Sequence, residues 1–138
     1  MNASLEAVVR HSGQQQILLH RVAGGVWTVL GALLFVLSLF VAGKAGEEAM
    51  RVGAGVAGVL LIVAGVAYIR MMSGRVATLV EMLVSRPAEL KEPGITALRS
   101  RGRIIAHEIS VLDGANRKYR MRVPSEADAR AMLARVPR

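Results

Sequence analysis

Two long runs without a charged side chain dominate the pattern of polar and apolar positions. From Val22 to Val41 the chain reads VAGGVWTVLGALLFVLSLFV, and 20 such residues in a helix rise about 30 Å, the depth of a bilayer's hydrocarbon core. His20 and Arg21 precede this run, Trp27 lies one to two turns inside it, and Gly43 and Lys44 close it. That order of cations and aromatics suits a membrane interface. A second run, Val52 to Ile69, ends with Tyr68 and then Arg70. The pattern predicts a leader over 1–21, spans over about 22–43 and 52–70, and a connecting turn over 44–51 that can only join antiparallel neighbours. The apolar region of a secretory signal peptide, about 7–15 residues, is shorter than the first run.

Lipid tails are as apolar as leucine, so helices within a bilayer associate through close backbone approach, which small residues permit. In the first run Gly24, Thr28 and Ala32 recur every four residues, and in the second Ala54, Ala57, Gly58, Ala64 and Gly65 share a helix face. These eight are the expected helix-packing residues, against each other or against a second copy of the chain.

Beyond Ser73-Gly74 the period changes. Val76, Leu79, Val80 and Leu83 follow the spacing of an amphipathic helix, predicted to be a separate short one and stopped by Arg86-Pro87. Pro93-Gly94 predicts a turn, followed by one strand over Ile95 to Arg99 and another over Ile104 to Leu112, where Ile105, His107, Ile109 and Val111 alternate with Ile104, Ala106, Glu108 and Ser110. Asp113-Gly-Ala-Asn116 predicts a hairpin connection, and the next strand sets Tyr119, Met121 and Val123 against Lys118, Arg120 and Arg122. Pro124-Ser125-Glu-Ala-Asp128 has the form of a capping box ahead of Ala129, Met132, Leu133 and Val136 on one helical face. The expected architecture is a membrane α-helical hairpin of two transmembrane helices with a small α+β cytoplasmic domain over 73–138, ordered helix, three-strand antiparallel meander, helix. A domain of that size is marginal by itself, which favours docking on a membrane or a partner.

The stretch from Ser85-Arg-Pro-Ala-Glu-Leu90 through His107-Glu-Ile-Ser-Val-Leu-Asp-Gly114 to the Pro-Ser-Glu-Ala-Asp helix resembles small bacterial two-helix membrane proteins with a cytoplasmic PH-like domain. The resemblance covers about a third of the chain and rests on the order of strand, Asp-Gly turn and final helix. A PH barrel has about seven strands in roughly twice this length, so the resemblance implies at most a truncated or shared barrel and designates no binding residues.

Charge is segregated along the chain. Residues 70–138 hold 14 Lys or Arg against 7 Asp or Glu, net +7, whereas residues 1–69 hold 4 against 3, net +1. The basic tail, with Arg10 and Arg21 in the leader, predicts cytoplasmic N and C termini in an inner-membrane protein of bacterial type. Arginine outnumbers lysine 15 to 3, which suits bidentate phosphate or carboxylate contacts but is better explained by a GC-rich codon bias. The basic set Arg99, Arg101, Arg103, Arg117, Lys118, Arg120 and Arg122 is the expected anionic-surface site, its counterpart being lipid headgroups or an acidic partner, with a merely solvated face as the plain alternative.

Other motifs weaken on inspection. Gly53-Ala-Gly55-Val-Ala-Gly58 spells the dinucleotide fingerprint and Glu81 lies beyond it, but a charged turn precedes the glycines where a strand is required. Cysteine is absent, which excludes disulfides and thiolate chemistry. His11, His20 and His107 lie in separate regions without metal-ligand spacing, and His107 and Glu108 point to opposite faces of a strand, so neither metal binding nor acid–base catalysis is expected. No Asp, Glu, Lys or Arg interrupts either run, which disfavours a pump or carrier; only Thr28, Ser38 and Tyr68 bring polarity there. The expectation is a non-enzymatic membrane scaffold or accessory subunit, without cofactor, that self-associates or packs in a larger complex. The alternatives are a small oligomeric channel or pore and a membrane-tethered nucleic-acid binder; the latter lacks a base-stacking surface, because Tyr119 is expected to face inward.

Overall fold

The computed structural model describes residues 3–40 and 47–137; the expected span end at Gly43 and Lys44, and the turn up to Gly46, lie outside them. The chain forms α1 (Ala3–Phe40), α2 (Glu48–Ser85), a 3-10 turn (Pro87–Glu89), β1 (Lys91–Ser100), β2 (Arg103–Leu112), β3 (Lys118–Val123) and α3 (Glu126–Leu133). Three helices and one three-stranded antiparallel sheet of order β1-β2-β3 are thus present among the described residues. α1 and α2 are each long and apolar enough to cross a membrane.

The helices are longer than the apolar runs that seed them. Each is 38 residues, and the amphipathic segment around Leu79, expected as a separate short helix, is instead the continuation of α2. A glycine inside a helix costs only about 1 kcal/mol against alanine, and the burial of Val76, Leu79 and Leu83 just beyond Ser73-Gly74 outweighs that. Residues Glu48 to Arg51, expected in the turn, open α2, with Arg51 N donating to Glu47 O at 2.9 Å. The leader is helical from Ala3 onward. Arg86-Pro87 does end α2, since the residue before a proline avoids helical backbone.

By compactness the chain divides into one unit of Met1–Leu18 and Ser73–Arg138 and a second of Leu19–Met72. In the first unit the sheet buries one face, formed by Ile109, Val111, Tyr119, Met121 and Val123, against Ala129, Met132 and Leu133 of α3, Val76, Leu79 and Leu83 of α2, and Val9 of α1. β3 alternates strictly between exposed and buried residues, as period two dictates. Its edge is closed by α1: the Arg122 backbone N–H donates to Gln16 Oε1 at 2.8 Å. Ser125 caps α3, its hydroxyl accepting from Ala127 N at 3.1 Å and Asp128 N at 3.4 Å.

Two details of the sheet differ from the expected pattern. Pro93-Gly94 lies within β1 rather than before it, at a register shift between Lys91 and Gly94 where Glu92 has φ 51°; proline has no N–H to donate, and the ladder is interrupted there. Ile105 does not continue the buried row of His107, Ile109 and Val111. β3 ends opposite His107, and a second register shift in the β1–β2 ladder falls between Leu98 and Arg99, so the far end of the β1–β2 hairpin runs on without a third strand and Ile105 is exposed.

Candidate functional site

In the unit Leu19–Met72, α1 and α2 meet along glycines. A Cβ added to Gly31 would lie 2.6 Å from the Gly58 carbonyl oxygen, and one on Gly58 would lie 2.7 Å from the Gly31 carbonyl oxygen. Gly24 faces Ile69 and Gly65, while a Cβ on Gly65 would lie 2.5 Å from Thr28 Oγ1 and 2.7 Å from Gly24 O; Gly55 faces Ser38. At Gly24, Gly31, Gly58 and Gly65 these separations leave no room for a side chain, so backbone touches backbone, while at Gly55 the neighbour is the Ser38 side chain at 3.1 Å. The hydroxyls in the seam are satisfied locally, Thr28 Oγ1 donating to Gly24 O at 2.9 Å and Ser38 Oγ to Phe35 O at 2.6 Å. At one end His20 Nδ1 and the Tyr68 hydroxyl are hydrogen-bonded at 3.0 Å, with their rings edge to face.

Of the eight residues expected to pack helices, Gly24, Thr28, Gly58 and Gly65 are brought together, and Ala54 is half-buried beside them. Ala32, Ala57 and Ala64 are exposed. Gly31, Gly55 and Ser38 are the seam residues that the small-residue spacing did not select. Their signal is a seven-residue repeat: Ile17, Gly24, Gly31 and Ser38 on α1, and Gly55, Ile62, Ile69, Val76 and Leu83 interleaved with Gly58, Gly65, Met72 and Leu79 on α2. A strict seven-residue repeat is the mark of helices that wind around each other left-handedly.

The outward faces of this helix pair are lined by large apolar side chains, among them Trp27, Leu30, Leu37, Phe40, Val56 and Leu60, the last 63% exposed. Arg21 and Arg70, also exposed, flank the charge-free segment.

The basic set occupies three places. Lys118, Arg120 and Arg122 stand on the open face of β3, where Arg120 Nη1 is 3.4 Å from Glu108 Oε1 on β2. Arg117 serves the β2–β3 connection: its Nε donates to Asp113 Oδ2 at 2.8 Å, and Asp113 Oδ1 accepts from Ala115 N at 2.8 Å and from Arg117 N at 2.9 Å. The backbone hydrogen bond from Arg117 holds the Asp113 carboxyl below the usual carboxylate range; burial opposes it, and the Arg117 side chain and Ala115 N–H reinforce it. The hydrogen bond with Asp113 in turn raises the Arg117 guanidinium above its ordinary value. Arg99, Arg101 and Arg103 lie at the far end of the β1–β2 hairpin, all exposed, and no ion pair among the described residues engages them. Arg103 is five residues from Glu108, about 17 Å along β2.

His107 is buried on the covered face, with Nε2 3.8 Å from Glu126 Oε2, while Glu108 turns to the other face toward Arg120. Tyr119 is buried, and its hydroxyl donates to Asp113 Oδ2 at 3.3 Å. No cluster of three or more His, Asp or Glu placed to hold a metal occurs among the described residues. The glycines of the fingerprint-like Gly53–Gly58 segment lie inside α2, not at a strand-to-helix turn.

Comparison with known proteins finds no matching family model, no matching curated protein and no matching solved structure.

Proposed function

We propose that this chain is an integral membrane protein in which α1 and α2 form a transmembrane hairpin, and that it serves as a non-enzymatic scaffold or accessory subunit, packing through its outward helix faces on copies of itself or on a larger membrane complex. The observation that carries this reading is the distribution of side-chain size around the helix pair. Glycines make the closest contacts of the seam in the charge-free segment, with Ile62 and Ile69 beside them, while most of the large apolar residues point away from it. Water would penalise that arrangement, since each exposed Leu or Phe forgoes about 1.5–3 kcal/mol of burial, whereas lipid removes the penalty and rewards close backbone contact. The repeat on α2 changes accordingly: Gly55, Gly58 and Gly65, interleaved with Ile62 and Ile69 in the charge-free segment, give way past Arg70 to a repeat without glycine, Met72, Val76, Leu79 and Leu83, where burial from water again drives packing. His20, Tyr68, Arg21 and Arg70 then sit at headgroup depth, and the excess of Arg and Lys beyond Arg70 orients both termini to the cytoplasm of a bacterial inner membrane.

One observation weighs against the nucleic-acid alternative: Tyr119 is turned into the core and is unavailable to stack on a base. Backbone contact closes the seam within one hairpin, so the pore alternative requires a lumen between copies. The chain has no native cysteine, which makes a labelling test clean. In intact membranes Leu37→Cys and Leu60→Cys should resist a water-soluble maleimide, and crosslinking followed by native mass measurement in mild detergent should recover oligomers or a defined partner. Free labelling would remove the membrane reading; a monodisperse monomer without crosslinked partners would remove the scaffold role.

A further inference from the structure

The far end of the β1–β2 hairpin carries features that folding does not require. Ile104 and Ile105 are 53% and 63% exposed, past the end of β3. Arg99, Arg101 and Arg103 surround them, and the acidic residue of β2, Glu108, is paired with Arg120. The turn has two successive left-handed residues, Arg101 at φ 48° and Gly102 at φ 79°, the backbone of a type I′ hairpin that Asn-Gly fills best. Placing arginine there costs about 1–2 kcal/mol, and strain retained at an exposed tip is a pointer to function.

We propose that this hairpin end is a membrane-docking element: Arg99, Arg101 and Arg103 bind the phosphates of an anionic leaflet while Ile104 and Ile105 enter its headgroup layer. The proposal rests on the transmembrane reading above and names which of the basic residues meet lipid. Charge and polarity select the occupant. Guanidinium groups pair bidentately with phosphate, and two isoleucines need an apolar phase beside those phosphates; a leaflet supplies both, whereas nucleic acid or an acidic protein surface leaves the isoleucines wet.

The test uses the full chain reconstituted into vesicles of phosphatidylcholine alone or mixed with phosphatidylglycerol, with an environment-sensitive dye on Ile105→Cys and, in a parallel sample, on Leu60→Cys. Leu60→Cys should be quenched by brominated lipid in both vesicle types. Ile105→Cys should shift to the blue and be quenched only in the anionic vesicles, with reversal at high salt. Replacing Arg99, Arg101 and Arg103 by Gln should weaken the bound state roughly fivefold for each charge removed. If Ile105→Cys stays in water while Leu60→Cys is quenched, the docking element is refuted and the membrane reading stands; if Leu60→Cys is not quenched, the membrane reading itself fails. Shielding of Ile105→Cys that depends on protein density rather than on anionic lipid would assign the tip to a second copy and overturn the proposal.

Discussion

Asp113 gathers hydrogen bonds from Ala115 N, Arg117 N, Arg117 Nε and the Tyr119 hydroxyl, so one carboxylate both closes the β2–β3 connection and anchors the aromatic ring in the core. Because its folded pKa is depressed, the stabilisation is fully present above the ordinary aspartate value of about 3.9 and is lost as pH falls through the lower folded value. Asp113→Asn keeps an acceptor for the backbone but gives up the pairing with Arg117. Its melting temperature in detergent should therefore fall below that of the parent chain at neutral pH, and the gap should narrow as pH drops below about 3.9; a gap independent of pH would refute the role. The turn itself was readable in Asp113-Gly-Ala-Asn116, since Asp accepts bonds from the backbone two residues on. The diversion of Arg117 from the basic surface was not, because a list of cations says nothing about which of them the fold consumes.

At the scale of elements, the helix seam shows where spacing rules succeed and fail. A spacing of three or four between small residues picks out Gly24, Thr28, Gly58 and Gly65, but it leads along α1 to Ala32, whereas the seam turns to Gly31. Steps of four alone drift around a helix; steps of four and three in alternation hold one line, and only the second pattern keeps two helices in contact over their length. The extent of α2 was hidden for a different reason: Ser73-Gly74 resembles a break, and the tertiary packing that overrides it is invisible in a local window. The seam makes a graded prediction. In Gly58→Leu the new side chain meets the Gly31 carbonyl and Phe35 backbone, which cannot yield, so the helix pair should lose at least about 1–3 kcal/mol. Gly53→Leu, with nothing within 4 Å of its Cβ, should be near neutral. Denaturant unfolding of both variants in mixed micelles reads the difference directly, and equal effects would place the seam elsewhere.

For the whole molecule, the consequential feature is that one compact unit is built from two distant pieces of chain. Alternation and helical period identified the meander and α3, and charge separated the basic tail from the apolar runs, but periodicity reports which face of a segment is buried and not what buries it. The missing layer is α1: Val9 is fully buried, Leu5, Val8 and Ile17 pack on the same core, Gly13 lies against Val80, and Gln16 closes the β3 edge. Burial of a valine-sized side chain contributes about 1.5–3 kcal/mol, and the solvent-exposed hydrogen bond from Arg122 to Gln16 at most about 1 kcal/mol. Removing α1 therefore withdraws an amount comparable with the ~5 kcal/mol at the lower end of native stability for a small domain. A fragment of residues 73–138 by itself should be collapsed and mobile, with poorly dispersed amide resonances, and linking residues 1–18 to it through a flexible tether should restore dispersion and a cooperative melt. A fragment that folds cooperatively without them would mean that α3, α2 and the sheet suffice, and that the N-terminal helix joins a domain already formed. The difference bears on assembly in the cell, because a unit that needs residues from two distant pieces of chain cannot complete its core until both have been made and brought together.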